Sequence, residues 1–519
     1  MTEPERDAIR RPRRRPAPGS TATTDGRSRS RLYRTLRNPF QPWRVFSDDR
    51  VEALHNAALG ILENQGLKVL SADARARFRS AGATVDEGTE TVRIDRGLVA
   101  TSLEQAPRQI TLHSRNPARH VSLDGTSLVF APVSGPPHIL DSAGVRRPGT
   151  LVDYANGVRL CQAFEVIQVL GAFTEPQDIS VACRQLEMLH AQLTLSEKIP
   201  HTYCRGHAQV ADCFEQVRIA YGLSEEAFRE TPCTYTIINT NSPRVLDTPM
   251  ADGIMDFALA GQVQMITPFT LSGAMAPVTI AGALTLAHAE MLGGLVLAQI
   301  TRPGAPVVYG SFTSNVDMKS GSPAFGTPEY FKAQIGAGQM ARFVGLPWRS
   351  SNATASNAPD AQGAYESQMS LWGTVAGGAN FILHAAGWLE GGLSSSFEKF
   401  ILDVEQLQMI AEVLQPVGAT DDDFGVDAII EAGPGGHFFA TQHTMARYKD
   451  AFYSPLVSDW RNFGAWSDDG SKTATERASA IWRSTLETFT PPPLDPAIAE
   501  ALEAFRRRRV EEGGSPPAG

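Results

Sequence analysis

From about position 125 the chain settles into a repeated pattern. A short apolar run gives way to a polar or Gly/Pro-bearing end, and then to a longer stretch with apolar positions three and four apart. The apolar runs fall at 127–131, 166–173, 201–204, 234–239, 263–269, 306–311, 346–350 and 380–385. The longer stretches predict helices at 152–163, 179–195, 210–221, 251–259, 280–300, 329–343, 362–376 and 396–414. Eight alternations over about 290 residues predict an α/β fold of the (β/α)8 barrel kind, a parallel sheet closed on itself with helices outside. A doubly wound open sheet is the alternative. It generally uses fewer units and a Gly-rich phosphate turn, and neither GxGxxG nor GxxxxGK[ST] stands at a predicted strand–helix junction.

The flanks break the pattern. Before the barrel, 47–65 reads as a helix, opened by Ser-Asp-Asp as N-cap and acidic first turn and stopped by Gly66. Mixed αβ pieces follow to about position 123. After Pro416 the alternation ends, and a helix pair at 473–490 and 496–510, joined by the stiff PPPLD, finishes the chain. The expected organisation is a tail at 1–40, an N-terminal α/β module at 41–124, the barrel at 125–415 and a C-terminal helical extension at 416–519.

Composition alters this picture at one end only. Among 519 residues, 42% are hydrophobic and 20% charged, as in an ordinary globular protein. No uninterrupted apolar run approaches about 18 residues, so no membrane span is expected. Positions 1–37 hold eleven Arg against four acidic residues among Pro, Gly, Ser and Thr, a composition expected to stay solvated. The twin arginines lack a following apolar segment, so they do not read as an export signal. Taking that +7 from the chain's −9 leaves −16 on 38–519, an acidic body with no basic stripe for nucleic acid. The five cysteines are odd in number and not closely paired, which fits reduced thiols and a cytoplasmic location.

In a barrel of this kind, chemistry gathers where the strands end. There the sequence offers Ser134, Phe173, Glu175, Tyr203, Cys204, Asn239, Asn241, Phe269, Tyr309, Ser311, Phe312, Ser351, Asn352, His384, Trp388 and Glu390. The set is rich in aromatics and amides and poor in charge. Such a lining suits a cation without hydrogen-bond donors, attracted by ring faces at about 0.5–2 kcal/mol each. Taken singly, each aromatic fits packing of the barrel top as well as a pocket. His384 fits a hydrogen-bonded core histidine as well as a catalytic one, and Glu390 either faces a ligand or caps the following helix. No HxH, HExxH or CxxC is present, so no metal site is expected, and GxSxG is missing too.

Six stretches together carry a resemblance: RRPGTLVDYANGVRLCQAF, TIINTNSP, PFTLSGAMAPVTIAGAL, VVYGSFTSNVDMKSGSPAFGTPE, NAPDAQGAYES and HAAGWLEGGLSSSFEKFILDVE. They resemble the trimethylamine methyltransferase superfamily from about position 52 to about 502. The resemblance implies a barrel enzyme that passes a methyl group from a methylamine to the cobalt of a separate corrinoid protein. On that reading no cofactor is bound tightly, the corrinoid (cobalamin) comes with the partner protein, and homo-oligomerisation stays open. The archetype's pocket holds pyrrolysine. This chain has only standard residues, so it looks like the non-pyrrolysine branch known for glycine-betaine-type substrates, with the corresponding region in 351–356. Phe269, Tyr309, Phe312 and Trp388 are then the expected cation cage, with Phe173 and Tyr203 beside it. Asn239, Asn241, Ser351 and Asn352 are expected to orient the substrate's polar end, and His384 and Glu390 complete the candidate catalytic set. The loop at 315–325 is the expected docking rim for the corrinoid protein. A barrel that only binds a ligand, or serves a different transfer, is the competing reading.

Overall fold

The computed structural model describes residues 34–517. Within them, parallel ladders run from Tyr235–Ile238 to Val263–Ile266, on to Val307–Gly310, Trp348–Ser351 and Phe381–Leu383, and from there to Ser127–Phe130. The remaining gap is bridged by two segments too irregular for full ladders. Single parallel bridges join Ser134 to Phe173, Val169 to Ile199 and His201 to Tyr235. Backbone bonds follow the same path: Gln168 N–H to Phe130 O (3.0 Å), Leu170 N–H to Ile199 O (2.9 Å) and Thr202 N–H to Tyr235 O (3.0 Å). The pairings thus return to the strand they began from, and every predicted apolar run takes part.

The strands are short, mostly apolar and buried on both faces, as parallel strands covered on both sides are. Val129, Val169, Ile199, Tyr235, Val263, Met265, Val308, Phe381 and Leu383 share one apolar cluster with Ile110, Leu112, Val121 and Leu123 of a hairpin. The hairpin sits at the N-terminal ends of the strands, where His113 N–H bonds to Pro232 O, so that end is closed. The helices between strands begin on side-chain caps. Thr150 and Asp153 form a reciprocal capping box before Leu151–Ala163, and Thr279, Thr327, Asp360 and Ser396 cap later helices. Helix Ile280–Thr301 is long and apolar enough to cross a membrane, although His288, Glu290 and Gln299 interrupt its apolar run. Here it is a core helix, buried along most of its length between Asp48–Asn64, Arg96–Gln105 and Thr248–Leu259.

Two features depart from the expected organisation. Leu36–Arg37, inside the span read as a solvated tail, pairs antiparallel with Ser127–Phe130 and buries Leu36; residues 1–33 of that span lie outside the described residues. Beyond the strand ends the chain also builds two small sheets that the sequence did not reveal. One joins Phe269–Ser272, Phe312–Val316 and Pro323–Ala324; the other joins Trp388–Leu389, Ser394–Ser395, His138–Leu140 and Arg146–Pro148. They form walls above the C-terminal ends of the strands. At the C-terminus, helix Ala474–Glu487 packs on Phe397–Val413, with Trp482 Nε1–H donating to Glu398 (2.8 Å). Helix Pro496–Glu511 lies against Val181–Leu195 and His207–Tyr221.

Candidate active site

The C-terminal ends of the strands and the two added sheets enclose a cavity of about 390 Å³. Six of the predicted residues line it: Tyr203, Asn239, Phe269, Phe312, His384 and Trp388; Ser134 and Cys204 of the wider rim set join them. Phe312 is the hub of its aromatic wall. Its ring centroid lies 5.2 Å from Phe269, 5.9 Å from Trp388 in an edge-on arrangement, and 5.3 Å from Phe325, which stacks on it. Trp388 is held by its Nε1–H bond to Thr354 O (3.1 Å) and by His384 at 4.1 Å between rings. Gly392 is needed where it is, because its φ is +101° and a Cβ there would lie 2.5 Å from the Trp388 indole.

The cavity's histidines are neutral. His384 Nδ1 accepts the Ser134 backbone N–H (3.2 Å), which leaves the ring proton on Nε2. Burial, with the nearby Arg349 charge and His201, holds His384 well below the usual histidine range. His201, on the same wall, is pushed down to about 3 by burial and then by Arg205. Burial also raises the Cys204 thiol to about 11, so it is no ready nucleophile. No Asp or Glu lines the cavity.

Two arginines line it, which corrects the expectation of a lining poor in charge. Arg205 is neutralised by Glu175 at 2.6 Å and lies over the Tyr203 ring at 4.4 Å. Arg349 has no such partner. It is 2% exposed, its Nε and Nη1 are buried and meet no hydrogen-bond acceptor, and it makes no ion pair among the described residues. Its guanidinium carbon lies 5.8 Å from the centroid of the Phe312 ring. Burial pushes its pKa down to about 10, so it remains charged at neutral pH.

Six predicted site residues lie elsewhere. Tyr309 points outward and donates or accepts at His288 Nδ1 (2.9 Å) in the helix layer. Strand Val307–Gly310 is apolar throughout, so no alternation marked which parity faces inward; Val308 does. Phe173 packs against Phe397 and Phe400, in space that Gly157 leaves by lacking a Cβ. Asn241 is exposed and donates to Asp247 (2.8 Å). Ser351 is fully buried outside the lining, its carbonyl accepting from Tyr330 O–H (2.9 Å) and Gln334 Nε2–H (2.8 Å). Asn352 donates to Ala385 O (3.1 Å). Glu390 faces Arg146 at 2.7 Å and bonds Ser394, so neither ligand contact nor helix capping describes it.

Arg349 was legible and overlooked. It sits mid-strand in Leu-Pro-Trp-Arg-Ser-Ser, paired with Gly310 and Phe381, and its neighbour Phe381 faces the interior. A guanidinium at a doubly buried strand position is rare enough to signal a task.

The strand ends and the two added sheets define a cavity lined by aromatic side chains, and comparison with known proteins fixes the family. Residues 10–514 match trimethylamine methyltransferase (MTTB), so the chain belongs to that family. It is 36% identical to the glycine betaine methyltransferase of Desulfitobacterium hafniense (strain Y51), over 91% of this chain and 98% of that relative. Against the trimethylamine methyltransferase MttB of Desulfitobacterium hafniense (strain DSM 10664 / DCB-2), identity is 31% over 90% of this chain and 94% of the relative. Among solved structures it is similar to the Methanosarcina barkeri monomethylamine methyltransferase, with TM-score 0.48 and 11% identity over 88% of this chain and 92% of that one.

Proposed function

We propose that this protein transfers a methyl group from a quaternary or tertiary N-methyl compound, betaine-like in kind, to the cobalt of a corrinoid carried by a separate protein. The closed circuit of parallel pairings is, on this reading, a (β/α)8 barrel, and the cavity at its C-terminal end is the active site. The observation that carries the proposal is the lining itself: aromatic faces, neutral histidines and no carboxylate.

Chemistry explains why that lining suffices. When a quaternary nitrogen loses a methyl, the C–N bond breaks with its electron pair staying on nitrogen, which leaves as a neutral tertiary amine. No proton has to be delivered, so no general acid is required. Reduced cobalt supplies the nucleophile from the partner's corrinoid. The chain's own part is to desolvate the cation, hold it by the faces of Phe269, Phe312 and Trp388, and turn one methyl toward the open side. His384 Nε2–H and Asn239 would orient the substrate's polar end. The exposed turn between Phe312–Val316 and Pro323–Ala324, which carries the exposed Met318, lies in the wall that holds Phe312 and is the proposed docking rim for the corrinoid protein.

The test is methyl transfer from a panel of N-methyl amines and betaines to cobalamin reduced to the +1 state, or to a corrinoid protein, followed by the visible absorbance of the corrinoid. Time-dependent methylation with at least one compound is expected. Folded protein that methylates neither acceptor from any donor would overturn the proposal.

A further inference from the structure

We propose that Arg349 is a carboxylate anchor that restricts this cavity to short zwitterions, compounds carrying a methylated ammonium and a carboxylate a few bonds apart. The inference rests on the methyl-donor reading of the same cavity and adds what the aromatic wall cannot supply, a means of choosing among methylated cations.

The Arg349 guanidinium is isolated among the described residues. A buried charge is normally paired, and Arg205 in this same cavity shows the usual solution, with Glu175 at 2.6 Å. Arg349 has two buried N–H groups without an acceptor and no carboxylate within ion-pair distance among the described residues. A carboxylate meets a guanidinium with two parallel bonds along one edge, pairing Nη2 with Nε or with Nη1, so an anion at either edge supplies an acceptor to one of these orphaned groups. The second observation is position. Arg349 lines the cavity, and its guanidinium carbon is 5.8 Å from the Phe312 centroid. Phe312 in turn is within 6 Å of both Phe269 and Trp388. An anion on Arg349 and a cation against those rings are therefore neighbours, and only a short spacer joins them.

The same placement works against a simple cation. Choline or tetramethylammonium would share the cavity with an unpaired positive charge, and the repulsion offsets what the rings provide. A zwitterion meets attraction at both ends. Of the four residues expected from sequence to hold the polar end, Asn241, Ser351 and Asn352 do not reach the cavity; Asn239 does, but it is a neutral amide, which leaves the Arg349 charge as the stronger anion-binding group.

The experiment compares glycine betaine with tetramethylammonium and choline by calorimetric titration, using the wild type and Arg349→Met, which keeps length and removes charge. Loss of the zwitterion's affinity by about 30-fold or more is expected, from the cost of truncating one member of a buried charge pair. Tetramethylammonium should bind the variant as well as, or better than, the wild type. A folded Arg349→Met that keeps full zwitterion affinity, or that loses both ligands equally, overturns the anchor. Should that variant not fold, the wild type still decides: 3,3-dimethylbutyrate, which has the carboxylate and no cation, should bind, and the matching alcohol should not. Equal behaviour of acid and alcohol overturns the proposal. The methyl-transfer assay separates the two readings. Transfer that is indifferent to Arg349→Met sinks the anchor alone. Arg349-dependent zwitterion binding without transfer from any donor sinks the methyltransferase reading and leaves the anchor standing.

Discussion

Replacing Phe312 by Leu separates the electrostatics of the aromatic wall from its shape. The ring is buried and meets Phe269 at 5.2 Å, Phe325 at 5.3 Å, Trp388 at 5.9 Å and Tyr330 at 6.1 Å. Leucine keeps an apolar side chain there but removes the quadrupole and the ring–ring geometry. Aromatic pairs contribute about 0.5–1.5 kcal/mol each beyond burial, so losing these neighbours should cost about 2 kcal/mol of stability, less than the 3–5 kcal/mol of a truncation to Ala. A desolvated ring face contributes up to about 2 kcal/mol to a bound cation, so affinity for a quaternary ammonium ligand should fall by roughly 10- to 30-fold. The assay is a paired titration. Glycine betaine carries the cation, and 3,3-dimethylbutyrate is its neutral-headed counterpart of nearly the same shape. Phe312→Leu should weaken the first far more than the second, while Phe312→Tyr, which retains a ring face, should stay within a few-fold of wild type for both. Equal losses for the two ligands in a folded Leu variant would show that the ring acts by filling space, and the cation-cage argument would fail.

Two further predictions concern the scaffold. His201, His288 and His384 are fully buried and neutral, His201 down to about 3 and the others well below the usual value of 6.5, with burial the largest cause in each. Below pH 6.5 the unfolded chain takes up protons that the native state refuses, so stability is lost as pH falls from 6.5 toward 3 and is unaffected above about 7. Three such groups give a slope of about 4 kcal/mol per pH unit near pH 5, seen as a steep fall in Tm between pH 7.5 and 5.5, and His201→Gln should remove about a third of it; a flat profile would contradict the burial argument. The Lys399–Asp403 ion pair is almost wholly buried, with Lys399 Nζ–H also donating to Ser367 (2.7 Å). Lys399→Met should cost about 3–5 kcal/mol by stranding Asp403, and pairing it with Asp403→Leu should recover most of the loss in thermal melts; a double variant no better than the single one would refute this.

Much of the architecture was written in the chain. Short apolar runs separated by capped helical stretches announced the repeat, because a parallel strand is buried on both faces and its crossover helix on one. The same runs concealed which side chains face inward. Val-Val-Tyr-Gly carries no alternation, so it points Tyr309 to the cavity although that residue bonds His288 in the helix layer, and Arg349 stands two residues before the expected pair Ser351 and Asn352 without a signal of its own facing. The walls above the strands were equally hidden. Phe269 and Phe312 stand on a second pair of strands, and Trp388 on a third sheet closed by His138–Leu140, some 250 positions earlier in the chain. By itself, then, the sequence determined the succession of elements and the kinds of side chain available at their ends, since both follow from local periodicity and composition. The tertiary structure alone decided that an unpaired guanidinium stands beside the Phe312 ring, because strand parity and the packing of distant segments set where a side chain points, and neither is encoded within any single run.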